Sequence, residues 1–150
     1  MGYAFTDLNN NGSDELILLS KSGEVFAVYS NLHYGAQGLA ESVDRSYIAI
    51  TKDGHILKRD NASVVKYRLS RNDQGLILLD GVMFDHGANL TFDNRRGMFY
   101  RYQNEYETEE ITGDEYDVLF EEIFADVYYD EELNILRSTY KLDFIPLFKE

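Results

Sequence analysis

The chain reads as an α+β protein, mainly β. The expected core is an antiparallel meander of about seven to nine strands, a single twisted sheet or a small blade-like sandwich, with a C-terminal α-helix. Three observations predict this. Short apolar runs of strand length recur from Tyr3 to about Tyr102. Glycine with a polar partner punctuates several of them. Beyond residue 112 the apolar residues leave strand spacing and take up the period of a helix.

In chain order, Glu15–Leu19, Val25–Tyr29, Tyr47–Ile50, His55–Lys58, Val64–Leu69, Leu76–Leu79 and Met98–Tyr102 have strand length and β-branched or aromatic content. Between them lie Lys21-Ser22-Gly23, Lys52-Asp53-Gly54, Asn72-Asp73-Gln74-Gly75 and Asn94-Arg95-Arg96-Gly97. Glycine supplies the positive φ of tight turns, and Asn or Asp tolerates it best among the rest. Ile48–Leu57, with Lys52-Asp53-Gly54 at its centre, is therefore a β-hairpin.

Thr112-Gly113-Asp114-Glu115 fits a capping box, with Thr112 as N-cap and Glu115 reaching back to its amide. Tyr116, Leu119, Phe120, Ile123, Phe124 and Val127 then mark one face of a helix near 113–127. Asp114, Asp117, Glu121, Glu122 and Asp126 fall on the other side, a solvated acidic face. Leu133 to Tyr140 is a candidate second short helix, and Tyr128-Tyr129 read as the first helix end packing down. Leu142-Asp143-Phe144-Ile145-Pro146-Leu147-Phe148 is too apolar to dangle, so it should lie back on the sheet, its direction set by the only proline. No linker or low-complexity tract interrupts the chain. The reading is one domain over 1–150, with a meander over 1–102 and the helix and tail over 112–150.

With 150 residues and 44% apolar content the chain can bury a real core. The formal charge is −13, so a phosphate backbone would be repelled and nucleic-acid binding is not expected. Residues 1–96 hold 12 acids and 10 bases, whereas residues 97–150 hold 15 acids and 4 bases. No apolar window is long enough for a transmembrane segment. Without cysteine there can be no disulfide, thiolate metal site or cysteine nucleophile.

One passage carries chemistry: Tyr3-Ala4-Phe5-Thr6-Asp7-Leu8-Asn9-Asn10-Asn11-Gly12-Ser13-Asp14-Glu15-Leu16-Ile17-Leu18-Leu19. Alternating Asp7, Asn9 and Asn11 aim three oxygen-bearing side chains at one point of a tight loop. Gly12 permits the reversal, Ser13 offers a backbone carbonyl and Glu15 can close the shell with a carboxylate. Calcium takes six to eight hard oxygen ligands of this kind and tolerates irregular geometry. An EF-hand is excluded, since its twelfth position needs a bidentate acid and here it is Leu18, with strands rather than helices on either side.

Phe5, Asp7, Asn9, Asn11, Gly12 and Glu15, followed by the aliphatic Leu16–Leu19, resemble the calcium loops of FG-GAP and VCBS repeat proteins. Their pattern is an aromatic, then Asp-x-Asx-x-Asx-Gly-x-x-Asp/Glu, then an aliphatic strand. The wider layout, with one such loop, a meander and a helix opening Ile111-Thr112-Gly113-Asp114-Glu115-Tyr116, is similar to uncharacterised exported or lipid-anchored proteins of Gram-positive gut and oral bacteria. That resemblance implies a place in the cell envelope or outside the cell and implies no activity. Asn9 and Asn11 are neutral where strong sites often carry Asp, so within the ligand shell Asp7 and Glu15 hold the only formal charges. The loop is thus either a weak calcium site or a turn closed by Asx hydrogen bonds. A single motif copy cannot build a propeller.

Other constellations are weaker. His33, His55 and His86 lack zinc-ligand spacing. No Gly-x-Ser-x-Gly elbow and no glycine-rich phosphate loop is present. Paired carboxylates of a hydrolase are conceivable among 27 acids, though a small meander offers little cleft. Phe99-Tyr100-Arg101-Tyr102, followed by Tyr106, gives an aromatic strand face that either covers the helix-facing side of the sheet or stacks on sugar rings or a protein partner.

The leading expectation is a non-catalytic, calcium-associated binding module of a bacterial envelope protein, with a protein or carbohydrate partner. Met1 opens the chain without a signal peptide, so this reading takes an N-terminal segment to have been removed. The alternative is a small acidic cytoplasmic inhibitor of the immunity type, and a hydrolase is third.

Overall fold

The computed structural model describes residues 1–32, 35–41, 47–60, 63–71, 75–85, 98–125, 127–130 and 135–148. The elements are β1 (Gly2–Thr6), β2 (Glu15–Leu19), β3 (Val25–Leu32), β4 (Gly35–Glu41), β5 (Tyr47–Ile50), β6 (Ile56–Arg59), β7 (Ser63–Leu69), β8 (Leu76–Asp85), β9 (Met98–Tyr102), β10 (Thr108–Ile111), α1 (Gly113–Phe124), β11 (Tyr128–Asp130), β12 (Ile135–Arg137) and β13 (Ile145–Pro146). An antiparallel, mainly β protein with one helix is what the sequence predicts.

The strand count is not. Among the described residues the main sheet has 11 strands, in the order β10-β9-β8-β7-β6-β5-β3-β2-β1-β13, with β4 on β3 beside that path. The seven predicted strands are all there, and β3 and β8 run further than their apolar cores. Of the four others, β1 is the strand expected ahead of the Asp7 loop, whereas the edge strands β4, β10 and β13 lacked a sequence signal. Small residues fill β4, acids fill β10, and β1 and the two-residue β13 pair with each other at Gly2↔Pro146 and Tyr3↔Ile145. Edge strands need no alternating pattern, because half of their backbone groups face solvent.

The predicted hairpin forms with Ile50 opposite Ile56. At its tip Gly54 takes φ +80, and its amide donates to the Thr51 carbonyl at 2.9 Å.

Strand alternation sends side chains to two faces, and both are buried in the middle of the sheet. On one face Ala4, Ile17, Leu19, Val25, Val28, Ile48, Ile50, Ile56 and Leu69 form a core with Leu8, flanked by Tyr140, Leu142 and Phe144 of the tail. On the helix face, Ala49, Leu57, Val64 and Val82 meet Ile123, Val127 and Leu136.

The capping box is present: the Glu115 amide donates to Thr112 Oγ1 at 3.1 Å, and the Glu115 carboxylate accepts from the Thr112 amide. Ile123 is buried, while Tyr116, Leu119, Phe120 and Phe124 are half-buried against the same core. An aromatic file runs from Phe84 to Phe99, Tyr116, Phe120 and Phe124, with centroid separations of 5.0, 4.9, 5.8 and 4.5 Å. The Arg59 guanidinium caps it 5.8 Å above the Phe124 ring.

Two expectations about the C-terminal third are corrected. The helix stops at Phe124, and Tyr128 and Tyr129 belong to β11 rather than to a helix end. The proposed second helix over Leu133 to Tyr140 is replaced by β12, which pairs with β11; residues 133 and 134 lie outside the described residues. The eight residues from Leu133 to Tyr140 are too few to hold helical turns on their own. As a strand, Ile135–Arg137 buries Leu136 and is followed by bonds from the Thr139 and Tyr140 amides to the Ile50 carbonyl.

Candidate metal centre

The loop from Asp7 to Asp14 joins β1 to β2, and the ladder closes beneath it at Thr6↔Glu15. Its path needs two left-handed residues, Asn10 at φ 56 and Gly12 at φ 87. Asn tolerates that region and glycine favours it, so the Asn-Asn-Gly stretch is local chemistry suited to its conformation.

Asp7 holds the far side of the loop. Its Oδ1 accepts from the Asn11 amide at 3.2 Å and its Oδ2 from the Gly12 amide at 2.7 Å. Asn11 Oδ1 accepts from the Ser13 amide at 2.9 Å. Glu15 sits on the core face of β2, where alternation also buries Ile17 and Leu19. It has no exposed surface, and Oε2 accepts from the Leu8 amide at 2.7 Å. The two carboxylates thus hold opposite ends of one loop.

The asparagines do more than the sequence indicates. Asn9 Nδ2 donates to the Ser70 carbonyl at 2.7 Å, and Asn11 Nδ2 donates to the Arg71 carbonyl at 3.0 Å. Both carbonyls lie just past β7, some sixty residues away in the chain. A carboxylate could not donate there, since it has acceptors only. This accounts for Asn where strong calcium loops often have Asp: each amide uses its NH₂ to dock the loop and turns its oxygen elsewhere. No local pattern could have revealed Ser70 and Arg71 as partners.

The turn at Gly54 presses on the loop from another side. A Cβ there would lie 2.9 Å from the Leu8 carbonyl oxygen. Between the two runs a cavity of about 190 Å³ bordered by Asn9, Asn10, Asp53, His55, Arg68 and Arg71. His55 lies in the turn, where its backbone amide donates to Thr51 Oγ1 at 3.2 Å. His33 and His86 lie outside the described residues.

The donor set is chemically suited to a hard cation: two carboxylates, two amide oxygens and the Ser13 carbonyl, all oxygen. Asp7 spends one lone pair of each carboxylate oxygen on a backbone amide, and each oxygen has capacity for a second partner. Asp7, Asn11 and Ser13 are joined by hydrogen bonds on one side of the loop, Glu15 holds the Leu8 amide on the other, and Asn9 is turned toward Ser70. Among the described residues no three His, Asp or Glu side chains gather into a metal-holding group, so any site here relies on Asn and backbone oxygens. Among the described residues no helix is long and apolar enough to cross a membrane. Comparison with family models, curated proteins and solved structures gives no match.

Proposed function

We propose that the protein is a non-catalytic, calcium-associated binding module of a bacterial envelope protein, working outside the cytoplasm. The carrying observation is Glu15: a carboxylate with no exposed surface, placed under the loop whose other end Asp7 grips. Burying a carboxylate is costly unless hydrogen bonds or an opposite charge compensate. A divalent cation held by Asp7, Asn9, Asn11, the Ser13 carbonyl and Glu15 would add such a charge beside the hydrogen bonds that the carboxylate already makes. The match of Phe5 to Leu19 with the FG-GAP and VCBS loop pattern supports the same reading.

A second reading, a small acidic cytoplasmic inhibitor, rests on the outward side of α1. There Asp114, Glu115, Asp117, Glu121 and Glu122 are all exposed, with no basic residue in the last turn. Such a surface suits a basic partner.

Calcium decides between them. With only two formal charges, affinity should fall in the weak extracellular range, roughly 10⁻⁴–10⁻³ M. At about ten times the dissociation constant, linkage stabilises the fold by about 1.4 kcal/mol. That raises the melting temperature by roughly 3–6 °C. Magnesium should do less, because it holds its water and demands strict octahedral geometry. Asp7→Asn should abolish the response yet keep most of the fold, since its one amide oxygen can still accept from the Gly12 backbone amide, and only the longer bond from the Asn11 amide is given up to the NH₂ group. A chelator-treated wild type that ignores calcium at tens of millimolar would reduce the loop to a hydrogen-bonded turn.

A further inference from the structure

The aromatic strand β9 divides its residues between two tasks. Phe99 and Arg101 face the helix side, where Phe99 stacks between Phe84 and Tyr116. Arg101 grips Asp80 through Nε and an Nη, both at 3.1 Å. Tyr102, one residue on, faces the other way.

There Tyr102 lies over Gly81. A Cβ at that glycine would come within 3.0 Å of the ring and 3.1 Å of Val65 Cγ1. The ring thus occupies space that any other residue at 81 would fill. Its hydroxyl donates to the Met83 sulfur at 3.6 Å, so it is fixed at edge and tip. Tyr67 shares this face, since it pairs with Leu78 two positions along from Leu69 of the core. Together with Leu39, Leu76, Lys58 and Glu105, the two tyrosines border a cleft of about 400 Å³. That is within the range of small-molecule sites, roughly 300–1,000 Å³.

We infer that this cleft binds an uncharged saccharide, a pyranose laid on the Tyr102 and Tyr67 rings with its hydroxyls toward Lys58 and Glu105. A pyranose is amphipathic in the same sense as the cleft, with one C–H face and a rim of hydroxyls. The aromatic rings meet the first, and a cationic donor with an anionic acceptor meet the second. One charge of each sign at the rim disfavours ligands with a net charge. Burial raises both phenols above the ordinary tyrosine value, so they remain neutral O–H groups at any physiological pH. The cleft shares no bordering residue with the Asp7–Glu15 loop, so the inference stands or falls apart from calcium.

The test is a titration of isotope-labelled protein, with chelator present throughout, followed through tyrosine ring resonances. The probes are glucose, galactose, N-acetylglucosamine, cellobiose, lactose and chitobiose, each to about 50 mM, which reaches the weak affinities of small ligands. The expected result is saturable shifts at Tyr67 and Tyr102 with at least one sugar. Tyr102→Ala should weaken binding about tenfold, the size of one lost aromatic contact. Val118→Thr, at an exposed position of α1 outside the cleft, should stay within about threefold. If Tyr102→Ala fails to fold, Glu105→Gln on its exposed turn decides instead, with an expected loss of about threefold to tenfold for one charge-assisted bond. Absence of shifts with all six sugars, unchanged affinity in the deciding variant, or saturable binding of free lysine or glutamate in place of sugar overturns the inference.

Discussion

Among the described residues, one face of the sheet is covered over half its width and partly exposed over the other half. Across β5–β9, α1 and the β11–β12 hairpin bury Ala49, Leu57, Val64 and Val82. Across β1–β3 the same face carries the row Phe5, Leu16 and Tyr29, linked by the register pairs Phe5↔Leu16 and Leu16↔Tyr29. Phe5 is 57% exposed, whereas Ile123 on the covered half is 2% exposed. The reach of the helix explains the difference. Five strand steps separate β8 from β2, about 24 Å at the usual spacing, and a helix covers only about 10–12 Å. Sheet twist turns the far strands further from it. One helix thus covers one half, and the other half tolerates partial exposure because its opposite side holds Ala4, Ile17 and Val28 in the core.

The comparison yields graded predictions. Ile123→Ala should cost the most, about 2–5 kcal/mol, as buried Ile truncations do. Denaturant unfolding of the variant measures it. A loss below about 1 kcal/mol would mean that α1 does not stabilise the covered half. Next comes Thr112→Ala, which removes one half of the capping box and leaves the first-turn amides to water. An expected loss of about 1–2 kcal/mol follows, visible as a lower melting temperature with unchanged strand signal.

Those elements were legible because their signals are local. The Thr112–Glu115 box and the Tyr116-to-Phe124 period lie within single helical turns, and Lys52-Asp53-Gly54 states its own turn. Misreadings occurred where tertiary partners decide the structure. Ile135–Arg137 becomes a strand because Tyr128–Asp130 supplies the other half of its ladder. Gly35–Glu41 is held by β3 although its sequence lacks strand character. The same split runs through the candidate site. Asp7, Asn9, Asn11, Ser13 and Glu15 could be named as candidate ligands from spacing alone, because such a pattern is local. The docking of Asn9 and Asn11 on Ser70 and Arg71 is long-range, and so is the pairing of Tyr102 with Gly81. Of the Phe99–Tyr102 aromatics, sequence offered either a helix-covering face or a stacking face; the strand places Phe99 on the first side and Tyr102 on the other.

The smallest effect is the most informative about the partly exposed half. Phe5 touches Tyr3 edge-on at 5.6 Å and borders an open groove of about 540 Å³ with Ser13, Asp14, Leu16 and Tyr29. Phe5→Thr exchanges an aromatic strand former for a β-branched one while deleting the ring, so backbone propensity changes little. Most of what is lost is surface already in water, and the expected change in unfolding free energy is within about 0.5 kcal/mol. Measured at several protein concentrations, that near-neutral result should be the same throughout. A cost approaching that of Ile123→Ala, growing with concentration, would mean that a second copy covers the β1–β3 face in solution, because only association makes stability depend on protomer concentration. The two halves of the sheet would then differ in what covers them: a helix of the same chain on one, and another chain on the other.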